Sequence, residues 1–123
     1  EIQNTFLRCI KFRTLSIENN TLQGDNLEKD NKLLDENINI TVTKGRLWDN
    51  GKDLRLYASQ NSTFVISCTG NFTINTVKLA FSGTCSNITN NTNTTVDASS
   101  FSLSINSGQT IKITSVTVIY TAN

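Results

Sequence analysis

Apolar residues recur at every second position through most of this chain. "INITVT" sets Ile38, Ile40 and Val42 on one side of a strand, with Asn39, Thr41 and Thr43 on the other. "DLRLYA" opposes Leu54, Leu56 and Ala58 to Arg55 and Tyr57, and "TFVISC" aligns Phe64, Ile66 and Cys68. The same period carries Val77, Leu79 and Phe81 in "TVKLAFS", and Phe101, Leu103 and Ile105 in "SFSLSIN". In "TIKITSVTVIY" the phase runs through Ile111 and Ile113, slips near Thr114–Ser115 and resumes at Val116, Val118 and Tyr120. One extra residue on a strand, a β-bulge, produces such a slip. The opening "NTFLRCIKFRTLSI" is also strand-like, with Phe6, Ile10 and Phe12 in phase and a slip before Leu15 and Ile17.

Clusters rich in Gly, Asn and Asp separate these runs: "ENNTLQGDN", "WDNGKD", "SQNS", "TGN", "GTCSNITNNTN" and "NSGQ". Gly and Asn tolerate the positive φ that tight turns require. Short strands with a turn roughly every 8–12 residues predict an all-β fold, a single antiparallel β-sandwich. Residues 26–37, "NLEKDNKLLDEN", break the alternation and read as a short helix or a solvated loop. The chain has no proline, as expected where most backbone N–H groups must join a ladder.

Composition narrows the function. At 123 residues and 13.6 kDa, one domain spans 1–123. Eleven basic and ten acidic residues leave a net charge of +1, which offers no footprint for nucleic acid. No apolar run approaches the roughly 20 residues of a membrane span. The absence of Met fits a processed chain. The chain has no His, which excludes Ser-His and Cys-His nucleophile pairs and imidazole metal sites. No enzymatic activity, metal or cofactor is expected. The acidic cluster Asp25, Glu28, Asp30, Asp35 and Glu36 matches no calcium-loop spacing and is diluted by Lys29 and Lys32. Asp49 and Asp53 flank an Asn-Gly turn, and turn chemistry accounts for them better than a glycosidase carboxylate pair does.

"DNGKDLRLYASQNSTFVISC", "INTVKLAFSG" and "FSLSINSGQTIKITSVTVIY" follow one another in an order that resembles small secreted β-sandwich modules of bacterial and protist surface proteins. The resemblance covers residues 38–120 and implies a secreted, jelly-roll-like fold without a settled activity. The N-terminal 35 residues and the cysteines lie outside the shared pattern.

Asn-x-Ser/Thr triplets occur at Asn19, Asn39, Asn61, Asn71, Asn87, Asn90 and Asn93. Composition alone yields about four, so N-glycosylation and an Asn/Thr-rich β surface both account for them. Their places, in turns or on the outward phase of a strand, are places a sugar tolerates. Three at Asn87, Asn90 and Asn93 read as a hydrated brush. Cys9, Cys68 and Cys85 point to disulfide use in an oxidising compartment, but three cannot all pair within one chain. The strand from 74 to 82 separates Cys68 from Cys85 by more than about 20 Å, against the 7 Å or so a disulfide allows between Cα atoms. Three arrangements stay open: "SGTC" folding back, Cys9 pairing with one of the others, and a bond between subunits.

Trp48, Tyr57 and Tyr120 are the aromatic residues that would stack on a sugar, and Arg55 shares the phase of Tyr57. Trp48, Arg55 and Tyr57 form a candidate carbohydrate patch, or else a capping contact at one end of the fold. The sequence therefore points to an extracellular structural glycoprotein, secreted or at the cell surface, that self-associates into a homopolymer or filament. Residues 1–17 are the expected assembly strand, adding to the open sheet edge of a neighbouring subunit. The competing reading is a carbohydrate-binding or adhesion module.

Overall fold

The computed structural model describes residues 5–10, 21–22, 38–48, 53–68, 70–106 and 110–123. The 26–37 stretch, the acidic cluster, Asn19, Asp49 and the slip before Leu15 lie outside the described residues. Among the described residues ten strands follow in chain order: β1 (Thr5–Ile10), β2 (Thr21–Leu22), β3 (Ile38–Thr43), β4 (Arg46–Trp48), β5 (Asp53–Leu56), β6 (Thr63–Cys68), β7 (Phe72–Ser82), β8 (Thr94–Ala98), β9 (Ser100–Ser104) and β10 (Ile111–Ala122). Among the described residues the only helix is a single 3-10 turn, Ala58–Gln60.

The strands form two antiparallel sheets. Sheet A runs β4-β5-β10-β7-β8, with β1 also paired to β10; sheet B runs β2-β3-β6-β9. The alternation read from the sequence is the alternation of burial. Ile38, Ile40, Val42, Phe64, Ile66 and Leu103 of sheet B join Leu54, Leu56, Val77, Leu79, Val116, Val118 and Tyr120 of sheet A in one buried cluster. Each such aliphatic side chain contributes about 1.5–3 kcal/mol over its exposed state. The expected slip in the last strand is present: pairing to β7 shifts between Ile113 and Ser115, so that Ile113 and Val116 both face the core. A second shift, between Ile119 and Tyr120, buries Thr121 beside Tyr120. The tyrosine considered for sugar stacking is thus fully buried, with Phe72 edge-on to its ring at 5.5 Å.

The chain changes sheet between β1 and β2, β3 and β4, β5 and β6, β6 and β7, β8 and β9, and β9 and β10. The corner between β3 and β4 is built at Lys44, with φ 61, and Gly45, where a Cβ would collide with Val42 Cγ1 at 2.5 Å. The buried Ser62 hydroxyl locks this corner. It accepts from Tyr57 N–H and donates to the Lys44 carbonyl, each at 2.8 Å. The Ser62 carbonyl accepts from Ile105 N–H at 2.9 Å, so one residue holds three chain segments together.

Candidate functional site

The β4-β5 hairpin sets out the first surface. Trp48 pairs opposite Asp53, and Arg46 opposite Arg55. Leu54 and Leu56 fill the core, so Asp53 and Arg55 belong to the outer face of sheet A. Their side chains are joined there, Arg55 Nε to Asp53 Oδ1 at 2.9 Å. Tyr57 follows in the same phase and is half-buried. Register therefore brings Trp48, Arg55 and Tyr57 to one face, with Trp48 diagonal to Arg55 and Tyr57 two residues further along.

The second surface is the Asn-rich loop 83–93. It is pinned to the fold rather than free of it. Ile88 is 6% exposed and belongs to the core. Asn91 N–H donates to the Leu79 carbonyl at 2.8 Å, and Asn90 Oδ1 accepts from Phe81 N–H at 2.8 Å. β8 pairs with β7 only along Ile74–Val77, so the loop takes over that edge where β8 leaves it. On its other side Asn87 Nδ2 donates to the Ser104 carbonyl at 2.8 Å, on the free side of β9. One loop thus satisfies backbone groups at an edge of each sheet.

The triplet asparagines differ accordingly. Asn61, with φ 54, and Asn71 are exposed in turns; Asn93 is exposed at the loop end. Asn87 and Asn90 are exposed but also hold backbone groups. Asn90 uses its oxygen, which leaves its nitrogen available, whereas Asn87 uses the nitrogen to which a glycan would attach. The backbone of Asn39 in β3 pairs opposite Ser67 in β6.

The third surface is the seam between β1 and β10. Six residues pair in continuous register, from Thr5 opposite Thr121 to Ile10 opposite Val116. β5 pairs with β10 along Ile111–Ile113, and β7 pairs along the whole strand. β1 and β5 therefore share one side of β10, end to end. Phe6, Arg8 and Ile10 stand opposite the buried Tyr120, Val118 and Val116. Cys9 stands opposite Thr117. Cys68 and Cys85 are free thiols, at opposite ends of β7. The Cys68 thiol donates to the carbonyls of Phe72 at 3.1 Å and Ser99 at 3.3 Å. Burial pushes its pKa up, partly offset by backbone hydrogen bonds. Cys68 and Phe72 flank a crossing between sheets, not a hairpin.

Sequence reasoning named Trp48, Arg55 and Tyr57 but not Arg46 and Lys112, which stand opposite Arg55 on β4 and β10. It read Asn87 and Asn90 as sugar acceptors and missed their bonds to the sheet edges. Nothing local to "SNITNN" signals those bonds, because their partners lie up to 17 residues away. No helix among the described residues is long and apolar enough to cross a membrane, and no group of metal-ligating side chains occurs among them. No family model, curated protein or solved structure matches the chain. The geometry itself therefore carries the functional argument.

Proposed function

We propose that this chain is an extracellular, non-catalytic β-sandwich glycoprotein, its two sheets stacked over one core, that joins copies of itself by exchange of β1. The carrying observation is the β1 seam. A single six-residue segment covers the side of β10 that β5 leaves unpaired, and its register matches the buried row Val116–Val118–Tyr120. The same segment from a second copy fits the same slot with the same register, since strand addition needs only a free edge and matching alternation. Head to tail, such exchange does not close and yields a filament. The exposed Asn93 leads into β8, on the far side of β7 from the seam, where a sugar would not obstruct it; Asn71 sits nearer, its carbonyl accepting from Asn123 N–H at 2.8 Å beyond the Thr121 end of the seam. The lack of His speaks for work done by surfaces rather than by nucleophilic chemistry.

A crosslink tests this directly. A cysteine pair at Leu7 and Ile119, which stand opposite one another, is oxidised in a chain whose native cysteines are serine. Exchange predicts covalent ladders of linked chains, and deletion of residues 1–12 abolishes association. A crosslinked product that is entirely monomer at every concentration removes the assembly reading.

A second reading, carbohydrate recognition by the face carrying Trp48, Arg55 and Tyr57, is favoured by their shared register on sheet A. It uses a different surface from β1, and one chain can carry both.

A further inference from the structure

Three cations share one cross-strand row on the outer face of sheet A. Arg46 on β4 stands opposite Arg55 on β5, and Arg55 stands opposite Lys112 on β10. The next position, Ser82 on β7, is exposed. Neighbouring strands lie about 4.8 Å apart, so the three charges are rooted along about 10 Å. Like charges directly opposite one another destabilise a sheet. Asp53 neutralises part of the row through Arg55, but Arg46 and Lys112 have no acidic partner among the described residues. The fold thus tolerates an arrangement that an anion laid across the strands would relieve.

We propose that this row binds acidic saccharides, chains bearing carboxylate or sulfate groups. The inference narrows the carbohydrate reading of this face and rests on it. Guanidinium groups match the geometry of carboxylate and sulfate oxygens, and the lysine adds a point charge in line. Tyr57, two residues beyond Arg55 in the same phase, offers a ring for a sugar face at one side of the row. Ser82 continues the row with a hydroxyl. Nucleic acid and anionic membranes fit less well. Both present many charges and call for a broad positive field, which a chain of net charge +1 does not supply.

The test compares polygalacturonate with neutral dextran as probes for the intact chain. Polygalacturonate binds, dextran does not, and affinity falls as salt rises. Lys112→Glu lowers the affinity by roughly tenfold or more and raises the thermal midpoint, because the glutamate meets Arg55. Lys78→Glu makes the same charge change elsewhere on sheet A, opposite Thr117, and leaves affinity within about twofold. Equal losses in both variants, or tighter binding to single-stranded DNA than to polygalacturonate, overturn the assignment. Dextran binding that ignores Lys112→Glu overturns it while leaving the broader carbohydrate reading intact. Binding to neither polysaccharide removes both.

Discussion

The Asn-rich loop and the cation row are both dense in polar residues, yet they treat those residues in opposite ways. In the loop, Asn87 and Asn90 each meet a backbone group of a different strand, and Ile88 anchors the segment in the core. In the row, Arg46 and Lys112, neither with an acidic partner among the described residues, flank Arg55, which Asp53 engages. Polar side chains with partners inside the fold add stability, because a buried or half-buried donor left open is costly. Those set against like charges subtract from it and gain only when something outside arrives. The difference separates the edge-sealing part of this molecule from the part proposed above to meet a ligand.

The anchor should give the largest effect. Ile88→Ala removes a core contact and loosens both edge bonds with it, and we expect a loss of about 2–4 kcal/mol in urea unfolding. An unchanged midpoint would mean that the loop contributes nothing to the fold. Asn90→Ala leaves Phe81 N–H without its acceptor and should cost about 1–3 kcal/mol, less any share that water recovers. Asn90→Asp removes the glycosylation triplet but retains an oxygen acceptor, so stability should stay near that of the native chain. Asn87→Asp should be harmful instead, since it sets a carboxylate against the Ser104 carbonyl. If the two aspartate variants behave alike, the assigned roles of oxygen and nitrogen are wrong.

The row should respond with the opposite sign. Lys112→Glu replaces a like-charge pair with an ion pair and should stabilise the fold by about 0.2–1 kcal/mol, an effect that shrinks with added salt. Destabilisation would indicate that Lys112 already has a favourable partner.

The smallest effect concerns Cys68, a thiol used internally as a donor. Its pKa is raised in the fold by burial, so the native state holds this proton more tightly than the unfolded chain does. The sign follows from proton linkage. The contribution is full below the unfolded thiol's pKa and is lost as pH rises through the folded value. Alkylation of Cys68 at mildly alkaline pH should therefore be slower in the native protein than in urea, measured by peptide mass. Equal rates would mean that the thiol is open to solvent.

The core was legible because period-two alternation and burial have the same cause. A strand with one covered face must alternate, so Ile38, Leu54, Phe64, Leu79 and Leu103 all announce their inward side in the sequence. Even the bulge near Thr114 was visible, since one extra residue shifts the phase that follows. Tyr120 belonged to that inward phase, and its burial follows from the alternation rather than from its chemistry. Arg55 and Tyr57 could be assigned to an outer face for the same reason.

Local pattern carries no information on which strands become neighbours. That β5 lies beside β10, and hence Arg55 beside Lys112, depends on long-range pairing across more than fifty residues. The same holds for Asn90 reaching Phe81 and Asn87 reaching Ser104, and for Ser62 joining the corner at Lys44 to Tyr57. Alternation fixes which way a side chain faces, because it is a property of one strand. Partnership is a property of two, and only the folded sheets, through register and loop closure, decide whether a polar residue meets a backbone group, a like charge or solvent.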